Sequence, residues 1–135
     1  MSVNDIPVVG AIIVKENKIL CAQRGNEKAL PGMWEFPGGK IEPDETAQAA
    51  LARELIEELK IEVTIAEEAY EVTEYVYPFG KVVLTTFICH LIGGKPELTE
   101  HQKIKWLDPK DLNQLIWAPA DIPAVEKLMA ERVRK

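Results

Sequence analysis

Residues 38–61 read GGKIEPDETAQAALARELIEELKI, and the organisation of the chain follows from how this stretch folds. Leu51, Leu55 and Leu59 recur four apart, with Ala47 on the same side. That is the spacing of a helix face turned to a core, and it predicts a helix over about residues 46–59. Pro43-Asp44-Glu45 ahead of it puts acid near the helix start, where the dipole favours negative charge. At 3.6 residues per turn, Glu54, Glu57 and Glu58 fall within an arc of about 100° beside the leucine stripe. Most charge runs on helices are only a solvated face. Three carboxylates on one strip repel, however, and a hard divalent cation such as Mg²⁺ would hold them, since it takes oxygen ligands and keeps several waters. Arg53 sits four residues before Glu57, where a guanidinium can hold a carboxylate in one rotamer. Gly38-Gly39 permits close backbone approaches that a Cβ would block, although most such pairs are only turns.

Working outward, residues 8–14 are nearly all apolar and rich in β-branched side chains, which predicts a central strand buried on both faces. A polar turn at 15–18 leads to a second strand over 19–23, then a loop over 24–33. Trp34-Glu35-Phe36 is short and extended, and Pro37-Gly38-Gly39 breaks it. After the helix, residues 61–65, 70–77 and 81–92 read as strands, the last two joined by a turn at Pro78-Phe79-Gly80. Residues 93–102 read as a polar loop and 104–107 as a short strand. Asp108-Pro109 opens a helical turn, and residues 123–134 form a terminal amphipathic helix with Val125, Leu128, Met129 and Val133 inward. Mixed strands with one long central helix and a terminal helix predict an α/β sandwich. No repeat or linker divides the chain, so the expectation is a single domain over 1–135.

Composition narrows the chemistry. With 135 residues, 47% hydrophobic and 28% charged, the chain suits one domain with a real core. Its net charge of −6 argues against a broad basic surface for duplex nucleic acid. Phosphates would then need a local device, and bound cations are the obvious one. There is no charged-then-apolar leader and no apolar run long enough for a bilayer, so the expected setting is cytoplasmic. Cys21 and Cys89 lie in strand-like apolar runs and read as buried thiols rather than a disulfide or half a metal site. His90 and His101 lack partners at ligand spacing, so neither reads as a zinc ligand.

Gly39, Glu45, Arg53-Glu54-Leu55-Ile56-Glu57-Glu58-Leu59 and Ile61 together resemble the Nudix box, G-x5-E-x7-R-E-U-x-E-E-x-G-U, where U is a bulky aliphatic residue. A weaker likeness runs over nearly the whole chain. Trp34-Glu35-Phe36-Pro37-Gly38-Gly39-Lys40 is similar to the segment before the box in MutT-type enzymes. Ala118-Pro119-Ala120-Asp121-Ile122-Pro123 is similar to a segment of bacterial CTP pyrophosphohydrolases. One position departs: Lys60 stands where the family has glycine, a place that often needs a left-handed backbone costing roughly 1 kcal/mol or more. This puts the standard helix ending in doubt and leaves the acids intact.

The resemblance implies a Nudix α/β/α sandwich with a mixed sheet, its box forming a loop-helix-loop. It implies Mg²⁺, with Mn²⁺ as a substitute, held by Glu54, Glu57 and Glu58 with the Gly38 carbonyl. Arg53 would orient Glu57, and Glu45 would be structural. Glu100 matches a further acid that approaches the metals or the attacking water, an ordinary exposed loop acid being the plain alternative. Arg24, Phe36, Gly39 and Asp121 are the implied substrate contacts. The implied reaction is in-line attack by water on the inner anhydride bridge of a nucleoside triphosphate, giving a monophosphate and pyrophosphate, with metal ions screening the charge and activating the water. The partner would be a small nucleotide, with no duplex nucleic acid and no membrane, and either a monomer or a dimer is open. In MutT-type enzymes the position of Asp121 is an asparagine that reads oxidised guanine. An ionised aspartate only accepts, so it favours a donating edge such as the cytosine amino group, and a helix N-cap is its plain alternative. A cytidine-type triphosphate is therefore the expected substrate. Oxidised purine triphosphates are the main alternative. A non-catalytic nucleotide-binding module is a third reading, and the intact acids argue against it. A purely structural acidic helix would leave Arg53 and the glycines unexplained.

Overall fold

The spine of the fold is β1 (Asp5–Lys15), seen in a computed structural model that describes residues 5–133. Val9, Ala11, Ile12 and Ile13 are essentially excluded from solvent. Successive strand side chains point to opposite faces, so Ala11 and Ile13 enter one core while Ile12 enters another. The fully apolar run in the sequence is thus a strand covered on both sides, as expected. β7 (Gly80–Gly93) runs parallel to it, from Asp5↔Lys81 to Val14↔His90. β2 (Lys18–Arg24) returns antiparallel and carries β3 (Trp34–Glu35) and β8 (His101–Leu107). β5 (Glu62–Ile65) and β6 (Glu71–Tyr77) share the outer edge of β7.

On one face lies α1 (Ala47–Leu59), whose Leu51, Leu55 and Leu59 are fully buried against Val9, Ala11, Ile13, Phe87 and Cys89. On the other lies α2 (Ile122–Val133), whose Ala124, Val125 and Leu128 pack with Ile12, Trp34, Phe36 and Trp117. Two helices on opposite faces of a mixed sheet make the predicted α/β sandwich. Met129 is half-buried at the same core; the side chain of Val133 and the predicted helix end at Arg134 lie outside the described residues. Cys21 and Cys89 are buried free thiols, and burial pushes both up to about 12. No helix among the described residues is long and apolar enough to cross a membrane.

Three local features differ from the expectation. The Gly38-Gly39 break is itself a strand, β4 (Gly38–Lys40), paired with β1 at Gly10↔Gly38, Val9↔Gly39 and Val8↔Lys40. A Cβ on Gly38 would sit 1.9 Å from the Val9 carbonyl oxygen, so glycine lets the two backbones close up. The polar loop is shorter than predicted, because β8 starts at His101. The helix N-cap is Thr46, whose hydroxyl accepts from the Ala49 N–H, and Glu45 stands directly ahead of it as read. At the other end Lys60 does adopt the left-handed conformation, with φ 59° and ψ 39°. Its N–H reaches Ile56 O and that of Ile61 reaches Leu55 O, so the helix ends as a glycine would end it, without the glycine.

Candidate active site

The box brings α1 against β4, and the contact is close enough to set the chemistry. A Cβ on Gly39 would lie 2.3 Å from Glu54 Oε2, so the Glu54 carboxylate rests directly on the glycine backbone. One turn later Glu58 is buried, at 9% exposure, and its Oε1 has no hydrogen-bond partner among the described residues. Burial, followed by the negative charges of Glu54, Glu100 and Glu35, pushes its carboxyl up to about 8. Glu54 is also raised, by burial first and with Arg53 opposing.

Arg53 grips elsewhere than its spacing to Glu57 suggests. Its guanidinium forks onto Glu45 at 2.7 and 2.9 Å and donates to the Lys40 carbonyl at 3.2 Å. Nη1 approaches Glu54 at 3.5 Å and Glu57 at 3.6 Å. The bidentate partner is therefore Glu45, held down to about 2 by that hydrogen bond and by the Glu42 N–H. Arg53 ties the loop before the helix to the acidic strip as a whole. Glu57, 59% exposed, lies on the outer flank rather than in the cavity.

A cavity of about 540 Å³ opens beside Glu54 and Glu58. Gly38, Gly39, Glu100, Arg24, Phe36 and Asp121 also line it. The fold thus gathers the predicted positions around one space, with Arg53 and Glu57 outside its lining. Among the described residues, no three acid, histidine or cysteine side chains converge on one point. The donor set still suits a hard divalent cation. It consists of carboxylate oxygens, one of them buried and unpaired, whose mutual repulsion a cation would relieve.

Several contributors carry little signal in the sequence. Glu35 accepts from Arg24 Nη1 at 2.6 Å and is paired with His101 Nε2 at 2.9 Å. His101 is buried, and among the described residues its Nδ1 has no hydrogen-bond partner. Lys28 reaches Glu100 at 2.5 Å. Glu35 had a weak signal, since strand alternation sets it opposite the buried Trp34 and Phe36; Lys28 in an irregular loop had none.

At the far end, Tyr77 and Phe79 stack with centroids 5.0 Å apart, and the Tyr77 oxygen accepts from the Ala120 N–H. Asp121 is buried here, at 6% exposure, and Oδ2 accepts from the Phe36 N–H at 3.0 Å. It therefore braces the β3–β4 segment instead of capping α2. Burial, then the charge of Glu35, raises its carboxyl well above the ordinary range. The sequence reading takes Asp121 as an ionised acceptor; burial works against that form, and a protonated carboxyl would also carry a donor.

The NUDIX domain model matches residues 5–128. The chain is 42% identical to a CTP pyrophosphohydrolase of Escherichia coli K12, the match covering 96% of each chain. It is 41% identical to a putative 8-oxo-dGTP diphosphatase 2 of Mycobacterium tuberculosis, over 87% of this chain and 83% of that one. A solution structure of a MutT-named Nudix protein from methicillin-resistant Staphylococcus aureus 252 is similar, with 54% identity and a TM-score of 0.77, covering 94% of this chain and 97% of that one. With Gly39, Glu54 and Glu58 of the box lining one acidic cavity and the match running through nearly the whole sandwich, this chain belongs to the Nudix family.

Proposed function

We propose that this chain is a divalent-cation-dependent nucleoside triphosphate pyrophosphohydrolase that releases a monophosphate and pyrophosphate and prefers cytidine-type triphosphates. The observation that carries the reading is the buried, unpartnered Glu58 Oε1 beside Glu54, at the acidic end of a cavity whose far end is aromatic and holds Asp121. Glu54 and Glu58, with the Gly38 carbonyl and Glu57 from the flank, would hold the cation. Mg²⁺ suits such an oxygen set, and Mn²⁺ would substitute. When bound, the metal screens the anionic phosphates and polarises an attacking water. Arg53, locked onto Glu45, keeps Glu54 and Glu57 aligned. Glu100 faces the same space and is available to take the proton of that water. The partner is a small nucleotide rather than a nucleic-acid duplex, which fits an acidic chain acting on the cytoplasmic pool.

The base reading rests on Asp121. The Phe36 N–H pins Oδ2 as an acceptor, so a neutral carboxyl carries its proton on Oδ1. The pair then presents an acceptor beside a donor, complementary to the amino group and N3 of cytosine. Uracil in the same pose presents the reverse. The relative named as a CTP pyrophosphohydrolase supports this choice. A second reading, oxidised guanine triphosphate, is favoured by the relative named as a putative 8-oxo-dGTP diphosphatase and by the burial of Asp121, whose protonated form would mimic an asparagine.

The test is a panel of CTP, dCTP, UTP, dGTP and 8-oxo-dGTP with Mg²⁺ and product analysis. Pyrophosphate released fastest from a cytidine nucleotide is expected. The highest kcat/KM with 8-oxo-dGTP selects the second reading. Orthophosphate release refutes the bond assignment, and no turnover of any member indicates a binding module.

A further inference from the structure

Arg24, Lys28 and Lys40 line the cavity beside its acids, and the first two are held very differently. Arg24 donates to Glu35 and to the Ala29 carbonyl, both at 2.6 Å, and is committed to the wall. Among the described residues, the Lys28 ammonium reaches only the Glu100 carboxylate, at 2.5 Å, in a pair whose side chains are 45% and 44% exposed. An exposed pair of this kind is weak, so its partner is exchangeable. The backbone around it is braced. Gln102 donates to the Arg24 carbonyl at 2.9 Å and to Asn26 Oδ1 at 3.0 Å, and Gly25 packs against the carbonyl of Glu100. Only the Lys28 side chain has to move for its ammonium to point elsewhere in the cavity.

We propose that Lys28 is a phosphate-binding residue held in reserve: it neutralises Glu100 in the metal-free protein, and it transfers to the outer phosphates of the substrate once a divalent cation takes over the charge of the acidic cluster. This rests on the triphosphate reading above. The ammonium and the metal compete for the same carboxylate field, while the ammonium and the phosphates attract. Lys28 should thus oppose metal binding and assist phosphate binding, two effects of opposite sign that a merely structural lysine would not produce.

The experiment uses the whole chain and two probes, Mn²⁺ alone and then inorganic tripolyphosphate added to the Mn²⁺-loaded protein, both by titration calorimetry. In Lys28→Met, Mn²⁺ is expected to bind about fivefold more tightly, from loss of a competing surface cation. Tripolyphosphate is expected to bind about tenfold more weakly, from loss of a charge-assisted contact. Lys28→Arg should keep both affinities near wild type. Either affinity unchanged in Lys28→Met, or both shifted in the same direction, overturns the exchange. Neither titration involves turnover, so they judge Lys28 even if the nucleotide panel refutes the hydrolase reading.

Discussion

Glu58→Gln isolates the electrostatic load of the acidic strip. The wild-type carboxyl has an ordinary value of 4.5 when the chain is unfolded and about 8 when it is folded. Below pH 4.5 both states hold the proton and burial costs nothing on this account. From there to about pH 8 the unfolded chain releases the proton while the native chain retains it, so native stability falls by about 1.4 kcal/mol per pH unit. Above that the loss levels off, at up to about 5 kcal/mol, a large share of what a domain of this size has. Glutamine keeps the shape and cannot ionise. In EDTA, urea unfolding of wild type and Glu58→Gln at pH 5, 6, 7 and 8 should therefore diverge, the variant gaining steadily as pH rises. The same protonation means that cation binding at pH 7 expels close to one proton, readable by calorimetry in buffers of different ionisation enthalpy. Parallel stability curves between pH 5 and 8 would refute the reasoning, because they would show Glu58 ionised and solvated in the native protein.

Glu57→Gln should lower kcat by on the order of 10³ while leaving stability within about 0.5 kcal/mol, since the side chain is largely exposed; near-normal turnover with Mg²⁺ removes it from the ligand set. Lys60→Gly should stabilise the protein by about 0.5–1 kcal/mol, because the left-handed backbone at φ 59° costs a residue with a Cβ; a lower Tm contradicts this. Gly39→Ala should displace the Glu54 carboxylate and cut kcat by about 10² with a modest loss of stability. Gly38→Ala, whose Cβ meets the Val9 backbone, should cost about 3 kcal/mol or more; equal melting temperatures for the two variants would count against the distinction. Asp121→Asn should keep the CTP-over-UTP ratio in kcat/KM, since the amide presents the same acceptor and donor. Asp121→Ala should shrink that ratio by about 1–3 kcal/mol; loss of preference in the asparagine variant shows that the ionised form reads the base.

What could be read from the sequence was whatever depends on near neighbours along the chain. The leucine stripe of α1 and the apolar run of β1 are statements about period, and both elements stand as read, to within a few residues at their ends. Glu54, Glu57 and Glu58 share one helix, so their proximity followed from helical geometry alone. The ending at Lys60 was placed but doubted, because glycine is missing there, and the structure keeps the left-handed ending all the same. Gly38-Gly39 was read as a break that permits close backbone approach; the approach is there, but the strand was missed, since a glycine strand is recognisable only when its partner strand is known.

The tertiary structure alone decided which acids are buried and what each charged group holds. On the helical wheel Glu57 and Glu58 are neighbours; in the fold Glu58 is enclosed and Glu57 stays on the flank, because only one of them faces the wall built by β4 and the loop before β8. Arg53 forks onto Glu45 rather than Glu57 because the preceding loop folds back over the helix. Asp121 meets the Phe36 N–H across 85 residues, and Lys28 meets Glu100 across 72. No period or motif encodes such pairs. Protonation depends on burial and on the charges that the sheet brings near, and those come from contacts far apart in the chain.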